Sequence, residues 1–236
     1  MIFIEKVLKI LFIFLLVIAI FTSPIPIKSS QAAVLDYPLL NFCVVLDAGH
    51  GGEDGGAIGI STLVREKDIN LSITKKLKLL FESAGARVVL TREDENSLCA
   101  GKYSKLEDMR ARKKIIDQNQ PYIIISVHCN SFPQSKNVKG AQMFYLPNSE
   151  SGKILAEQIQ KSIQKNVDKD NDRQVKGEDF YMLKCGNSTS VMIECGFLSS
   201  PEEEKRLCSD EYQDMLAYAV FDGTSNFINS LRPQNE

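Results

Sequence analysis

From Phe42 onward the chain alternates short apolar runs with longer stretches in which apolar residues recur every three or four positions. The runs "FCVVLD", "ARVVLT", "YIIISVH", "GAQMFYL", "FYMLK" and "VMIE" read as strands. Between the first two, "EKDINLSITKKLKLLFESAG" sets Ile69, Ile73, Leu77 and Leu80 on one helical face and stops at Gly85, as a helix does at a left-handed cap. A polar segment from Arg92 to Lys105 leads into a helix of mixed charge around Glu107 to Asn119, which ends before Pro121 because the residue ahead of a proline is disfavoured in helical backbone. "SESGKILAEQIQKSIQKNV" predicts a helix with Ile154, Leu155, Ile159 and Ile163 along one side, and helices at Pro201 to Leu207 and Glu211 to Leu231 close the chain. The order βαβαββαββαα predicts an α/β single domain, a mixed and mostly buried β-sheet covered by helices on both faces. In such sheets functional side chains gather at the C-terminal ends of strands.

The N-terminus departs from this pattern. Lys6 and Lys9 precede an unbroken apolar run from Ile10 to Phe21, and Ser30-Gln31-Ala32 follows as a small-x-small cleavage pattern. Residues 1–33 therefore read as a signal peptide or N-terminal membrane anchor, residues 34–41 as a linker, 42–231 as the folded domain and 232–236 as a tail. The run falls short of the ~20 residues that span a bilayer comfortably, which favours cleavage. Being apolar on every face, it lacks the stripe of a core helix.

Charge and cysteine content narrow the partners. With 28 basic against 30 acidic residues, nothing supports nucleic-acid binding through counterion release, and membrane contact is expected only through the N-terminal segment. Six cysteines in an exported chain would suggest disulfides. No Cys-x-x-Cys pair exists, however, and Cys43, Cys129 and Cys195 lie inside apolar runs, so buried free thiols are at least as well supported.

The only two histidines, His50 and His128, both follow strands, which points to a shared site. A catalytic zinc needs three protein ligands and an open position. Glu66, opening the first long helix, and Glu194, ending "VMIE", are candidates for the third ligand and a base. An ionised carboxylate in the apolar run around Glu194 needs a compensating partner. For Glu66 the spacing leaves two readings open, because an acidic residue in a first helical turn is favoured by the helix dipole alone. Asp47 and Asp54 are placed either to accept an imidazole N–H and fix its tautomer or simply to form the turn. "GHGGEDGG" is no phosphate-binding loop, since it lacks the Lys-Ser/Thr ending; its glycines suit close backbone approach beside a ligand sphere. Cys129 and Cys195 are poor nucleophile candidates, because strand neighbours of His128 and Glu194 face the opposite side.

Taken in order, "LDAGHGGEDGGAIG", "REKDINL", "LTRED", "MRARKKI", "IIISVHCNS" and "VMIECGFLSSPEEEKRL" resemble the zinc-dependent N-acetylmuramoyl-L-alanine amidases of bacterial cell walls, the amidase_3 type, from Phe42 to about Asn229. The resemblance implies that His50, Glu66 and His128 are ligands to one zinc ion per chain, that Glu194 is the catalytic carboxylate and that Asn130 helps shape the site. Arg92 and Arg112 match recurring arginines of structural role. The implied reaction is hydrolysis of the amide between the lactyl group of N-acetylmuramic acid and L-alanine of the stem peptide, with peptidoglycan as partner.

The chain departs from the usual pattern at Cys129, Thr189 and Ser200. Ser200 still offers a cap, with Pro201 at the first helical position and a capping box to Glu203. Thr189 loosens the approach to Glu194, so tight zinc binding is not assumed without help. The Lys-Tyr-Ser-rich insert "CAGKYSKLEDMRARKK" resembles the germination-specific amidases of spore cortex, which prepare muramic-δ-lactam formation; that implies export to the envelope, in the forespore intermembrane or cortex space. Asn130 to Ile193 has room for one core helix and its flanking strands but no autoinhibitory helix, so control would fall to an accessory envelope protein, to timing or to zinc occupancy. Two other readings are a zinc amidohydrolase for another exported amide and a non-catalytic peptidoglycan-binding scaffold.

Overall fold

The computed structural model describes residues 39–232; the segment 1–33 read as a signal peptide or anchor, most of the expected linker and most of the expected tail lie outside them. Strands β1 (Cys43–Ala48), β2 (Arg87–Leu90), β3 (Ile123–Asn130), β4 (Gln142–Tyr145), β5 (Lys176–Gly177) and β6 (Thr189–Phe197) form one sheet in the order β2-β1-β3-β6-β4-β5. Every pairing is parallel except β4 with β6. The helices are α1 (Glu66–Ser83), α2 (Lys105–Asn119), α3 (Glu150–Asn166), α4 (Pro201–Leu207) and α5 (Asp210–Ser230). None is long and apolar enough to cross a membrane among the described residues.

Strand alternation sorts the core into two sides. Val44, Leu46, Ile123, Ile125, Val127, Ile193 and their neighbours pack against α1, α3 and α5 in the larger core, while Val45 and Ile124 face the opposite side with Ile116 of α2, Met182 and Cys185. Helices therefore cover both faces of a mixed sheet, as the pattern predicts. Burial along α1 falls on Ile69, Ile73, Leu77 and Phe81, and Gly85 follows the helix end at φ +89. Gln120 ends α2 in left-handed backbone, φ +43, directly before Pro121.

Three local expectations are corrected. "FYMLK" is no strand: Met182–Lys184 forms a 3-10 turn. Consecutive Met182 and Leu183 are both buried, each in a different apolar cluster, which a pleated strand with one face inward does not permit. The two-residue β5 pairs with β4 at Phe144 and Tyr145 instead. Ile154 is 40% exposed, and Ala156 takes its place in the buried stripe of α3 beside Leu155, Ile159 and Ile163. Finally, Ser200 makes no side-chain cap to α4. Buried Glu203 turns away from it and accepts from Gly140 N at 2.9 Å and Phe197 N at 3.1 Å, joining the start of β4 to the end of β6.

Candidate metal centre and active site

The parallel strands β1 and β3 deliver His50 and His128 to the same edge. Gly49 N donates to Val127 O (3.0 Å), tying the chain after β1 to β3. A Cβ on Gly49 would collide with the His128 ring, so the close approach demands glycine there. His50 itself adopts left-handed backbone, φ +62, uncommon for a non-glycine residue. Arg112 holds it there, donating from Nη2 to His50 O (2.6 Å) and from Nη1 to Ala48 O (2.7 Å).

The loop after His50 brings the chain round to α1, whose first residue is Glu66. This residue is 3% exposed. Its Oε1 lies 3.1 Å from His50 Nε2 and 3.0 Å from His128 Nδ1, and it also accepts from Cys129 N (3.1 Å) and Asn70 Nδ2 (3.2 Å). Oε2 accepts from Ala57 N at 2.8 Å. Burial opposes its ionisation, yet the hydrogen bonds and charges of His128 and His50 hold the carboxyl well below the ordinary range. His50 responds in kind: burial disfavours its charged form, but Glu66 and Asp54 outweigh that and raise its pKa.

One ligand atom from each of His50, Glu66 and His128 lies within 4.8 Å of the others, a donor set suited to a metal ion. The two imidazole rings stand edge to face with centroids 5.0 Å apart. Glu194 is the direct neighbour of His128 across the β3–β6 ladder, so both side chains leave the sheet on one face. Its Oε2 is buried with no hydrogen-bond partner. Burial pushes its pKa up to about 7, helped by the charge of Glu66 and opposed by the two histidines. Cys129 and Cys195, one residue on from each, sit in the main core, and all six cysteines are free thiols.

The remaining candidates divide. Asp54 Oδ1 lies 2.9 Å from His50 Nδ1, a close contact bent away from a straight hydrogen bond, and also accepts from Gly56 N at 3.1 Å. Asp47 meets no imidazole. Its oxygens take Thr91 Oγ1 (2.8 Å), Ser126 Oγ (2.6 Å) and Arg112 Nη1 (2.7 Å), so it braces the arginine that holds the His50 backbone. Asn130 lies past a register irregularity in β3 and spends its Oδ1 on Ser131 N at 2.8 Å. Arg92 is wholly structural here, donating to the carbonyls of Ala48, Gly49, Lys67 and Asp94.

Two residues escaped sequence reasoning. Glu204, fully buried, accepts from Ser61 N, Thr62 N and Thr62 Oγ1 at 2.7–2.8 Å and so pins the loop leading into α1. Tyr103 donates from its hydroxyl to Asp54 Oδ2 at 3.0 Å. The "EEE" run of α4 reads as an ordinary acidic first turn, and a tyrosine in a polar insert carries no pattern of its own. A cavity of about 290 Å³ opens beside the cluster, bounded by Gly49, His50 and His128 and walled by Tyr103, Met109 and Phe180.

Comparisons with known proteins agree with this geometry. The germination-specific N-acetylmuramoyl-L-alanine amidase of Bacillus subtilis is 33% identical over 196 residues, 81% of either chain. Among solved structures, the CwlD amidase from Clostridioides difficile, in complex with the GerS lipoprotein, matches with a TM-score of 0.77 and 40% identity over 80% of this chain and 100% of its own. An N-acetylmuramoyl-L-alanine amidase from Clostridium difficile 630 matches at TM-score 0.72 and 29% identity, covering 81% of this chain and 98% of its own. Residues 44–226 match the family described as Amidase_3, N-acetylmuramoyl-L-alanine amidase. The chain therefore belongs to the Amidase_3 family and is a cell-wall amidase that hydrolyses the bond between N-acetylmuramic acid and L-alanine.

Proposed function

We propose that this amidase is zinc-dependent, with His50, Glu66 and His128 as the ligands and Glu194 as the catalytic carboxylate, and that its substrate is the peptidoglycan of the spore cortex. The observation that carries the reading is the convergence of three donor atoms within 4.8 Å, beside a buried carboxylate oxygen that has no partner. Nitrogen and carboxylate donors of this kind suit zinc, and three protein ligands leave a position open for chemistry. Bound there, zinc supplies Lewis acidity, lowering the pKa of water to about 7 and polarising a carbonyl.

The chain's own residues do the proton work. Glu194 Oε2, raised to about 7, takes a proton from the attacking water and delivers it to the amine nitrogen as the amide bond breaks. A carboxyl poised near neutrality can serve in both directions, and no covalent intermediate is needed. Glu66 is held ionised by its histidine neighbours and stays a ligand rather than a base. Arg112, braced by Asp47, keeps the His50 backbone in place.

Metal analysis of the purified protein, alone and with an envelope lipoprotein added, tests the site: about one zinc per chain is expected once the site is complete, lost in His128→Ala. Mass analysis of digested peptidoglycan tests the bond: free stem peptides and peptide-free muramic acid support the amidase, whereas sugars that keep their peptides and lose acetyl groups point to another amidohydrolase. Loss of muramic-δ-lactam from spores of a disruptant is the expected sign of the cortex role. That role is supported by the likeness to the germination-specific relative. An accessory envelope protein is supported by the C. difficile amidase having been solved with a lipoprotein, and by α3 being the single α-helix between β3 and β6. Zinc content that rises on addition of an envelope lipoprotein would establish the dependence.

A further inference from the structure

The insert between β2 and α2 takes no part in the ligand set, yet it is fastened to it at two points. It closes first on the start of α2. Cys99 Sγ donates to Ser104 O (3.3 Å), Ser104 accepts from Glu107 N as the helix cap, and Leu98 N donates to Asp108 Oδ1 (2.7 Å). Asp108 Oδ2 in turn accepts from Arg112 Nε (2.7 Å), the arginine that reaches His50 O. That is the backbone tie. The side-chain tie runs from Tyr103 Oη to Asp54 Oδ2 (3.0 Å), while Asp54 Oδ1 sits 2.9 Å from His50 Nδ1.

A carboxylate that meets one ring nitrogen of a ligating histidine fixes its tautomer and orientation. Asp54 is about a quarter exposed and Gly56 N holds its Oδ1 at 3.1 Å, so a hydrogen bond to the second oxygen is what stops the carboxylate from turning about that single anchor. Among the described residues, Tyr103 is the side chain other than His50 that holds it. We propose that Tyr103 is a positioning residue for the metal centre: its hydroxyl holds Asp54, and Asp54 turns His50 so that Nε2, the nitrogen facing Glu66, is offered to the ion. This rests on the zinc reading above. It assigns the Lys-Tyr-Ser insert a task in metal retention, transmitted through one hydroxyl.

The test is zinc affinity, measured by competition with a chromophoric chelator on the full chain, for wild type, Tyr103→Phe, Asp54→Asn and the double variant. Tyr103→Phe keeps the ring as a wall of the cavity and removes only the donor. The expected result is about a tenfold loss of affinity, the lower end of what partners of ligating histidines contribute, with no further loss when the change is made in Asp54→Asn. Affinity unchanged in Tyr103→Phe, or an equal loss in the Asp54→Asn background, overturns the proposal. A wild-type protein that binds no zinc, either alone or with an envelope lipoprotein added, overturns the metal reading itself, so the two failures are told apart by the wild-type samples.

Discussion

In the proposed mechanism Glu194 joins stability to catalysis at a single carboxyl. Its folded pKa of about 7 stands above the ordinary carboxylate value of 4.5, so the unfolded chain releases this proton first as pH rises. Stability is therefore lost between those two values and stays lower above them. Removing the charge should return it. In the metal-free protein Glu194→Gln is expected to be more stable than wild type at pH 8 by about 2–3 kcal/mol, and nearly level with it at pH 4.5, read from unfolding at both values. An equal gap at the two pH values would show that the charge is not the cause. The same substitution should lower kcat by about 10²–10⁴-fold while zinc content is kept. In wild type, kcat/KM is expected to climb with pH to a plateau near or below 7, because a bound cation favours the ionised carboxylate.

Between elements, a buried ion-pair network braces the site and a close helix crossing shapes the core behind the sheet. Arg112 of α2 is buried and pairs with Asp47 of β1 at 2.7 Å and with Asp108 one helical turn earlier at 2.7 Å. Burial works against its charge, but the two aspartates outweigh that and raise its pKa. Arg112→Met strands two buried carboxylates and is expected to cost about 3–5 kcal/mol in denaturant unfolding; a change within 1 kcal/mol of wild type would mean that the aspartates relax into water. On the far side of the sheet, α3 and α5 cross at Gly223, where an added Cβ would stand 2.7 Å from Ile159 N and 2.8 Å from Gln158 O. These are backbone atoms that cannot rotate aside. Gly223→Ala should therefore destabilise by about 1–3 kcal/mol despite alanine's better helix propensity, and a gain in melting temperature would refute the contact.

At the scale of the whole molecule, the centre is assembled from the loop after β1, the start of α1 and the end of β3, with Glu194 supplied by β6. No short fragment of the chain contains it, so binding of the proposed metal and folding should be linked. Zinc at a hundredfold excess over its dissociation constant is expected to stabilise the protein by about 2.7 kcal/mol, which for a domain of this size raises the melting temperature by roughly 5–10 °C. His50→Ala should abolish that shift. A shift that survives in the variant would place the ion elsewhere.

The linear chain by itself determined the order of elements, the sites of the long strands and helices, and the two histidines at strand ends, because period-two and period-3.6 patterns and turn residues are local properties. It also placed Cys129 and Cys195 away from the site, by parity alone. The spacing left Glu66 open between helix-dipole partner and ligand, and only the tertiary structure put its Oε1 about 3 Å from both imidazoles. The same holds for Asp47, which meets an arginine rather than an imidazole, for Glu203, which joins β4 to β6 instead of closing a capping box, and for the 3-10 turn at Met182–Lys184, where two clusters claim adjacent side chains. Tyr103 and Glu204 were not legible at all. Their partners lie 49 and 142–143 residues away, and a contact of that separation leaves no periodicity for a single sequence to display.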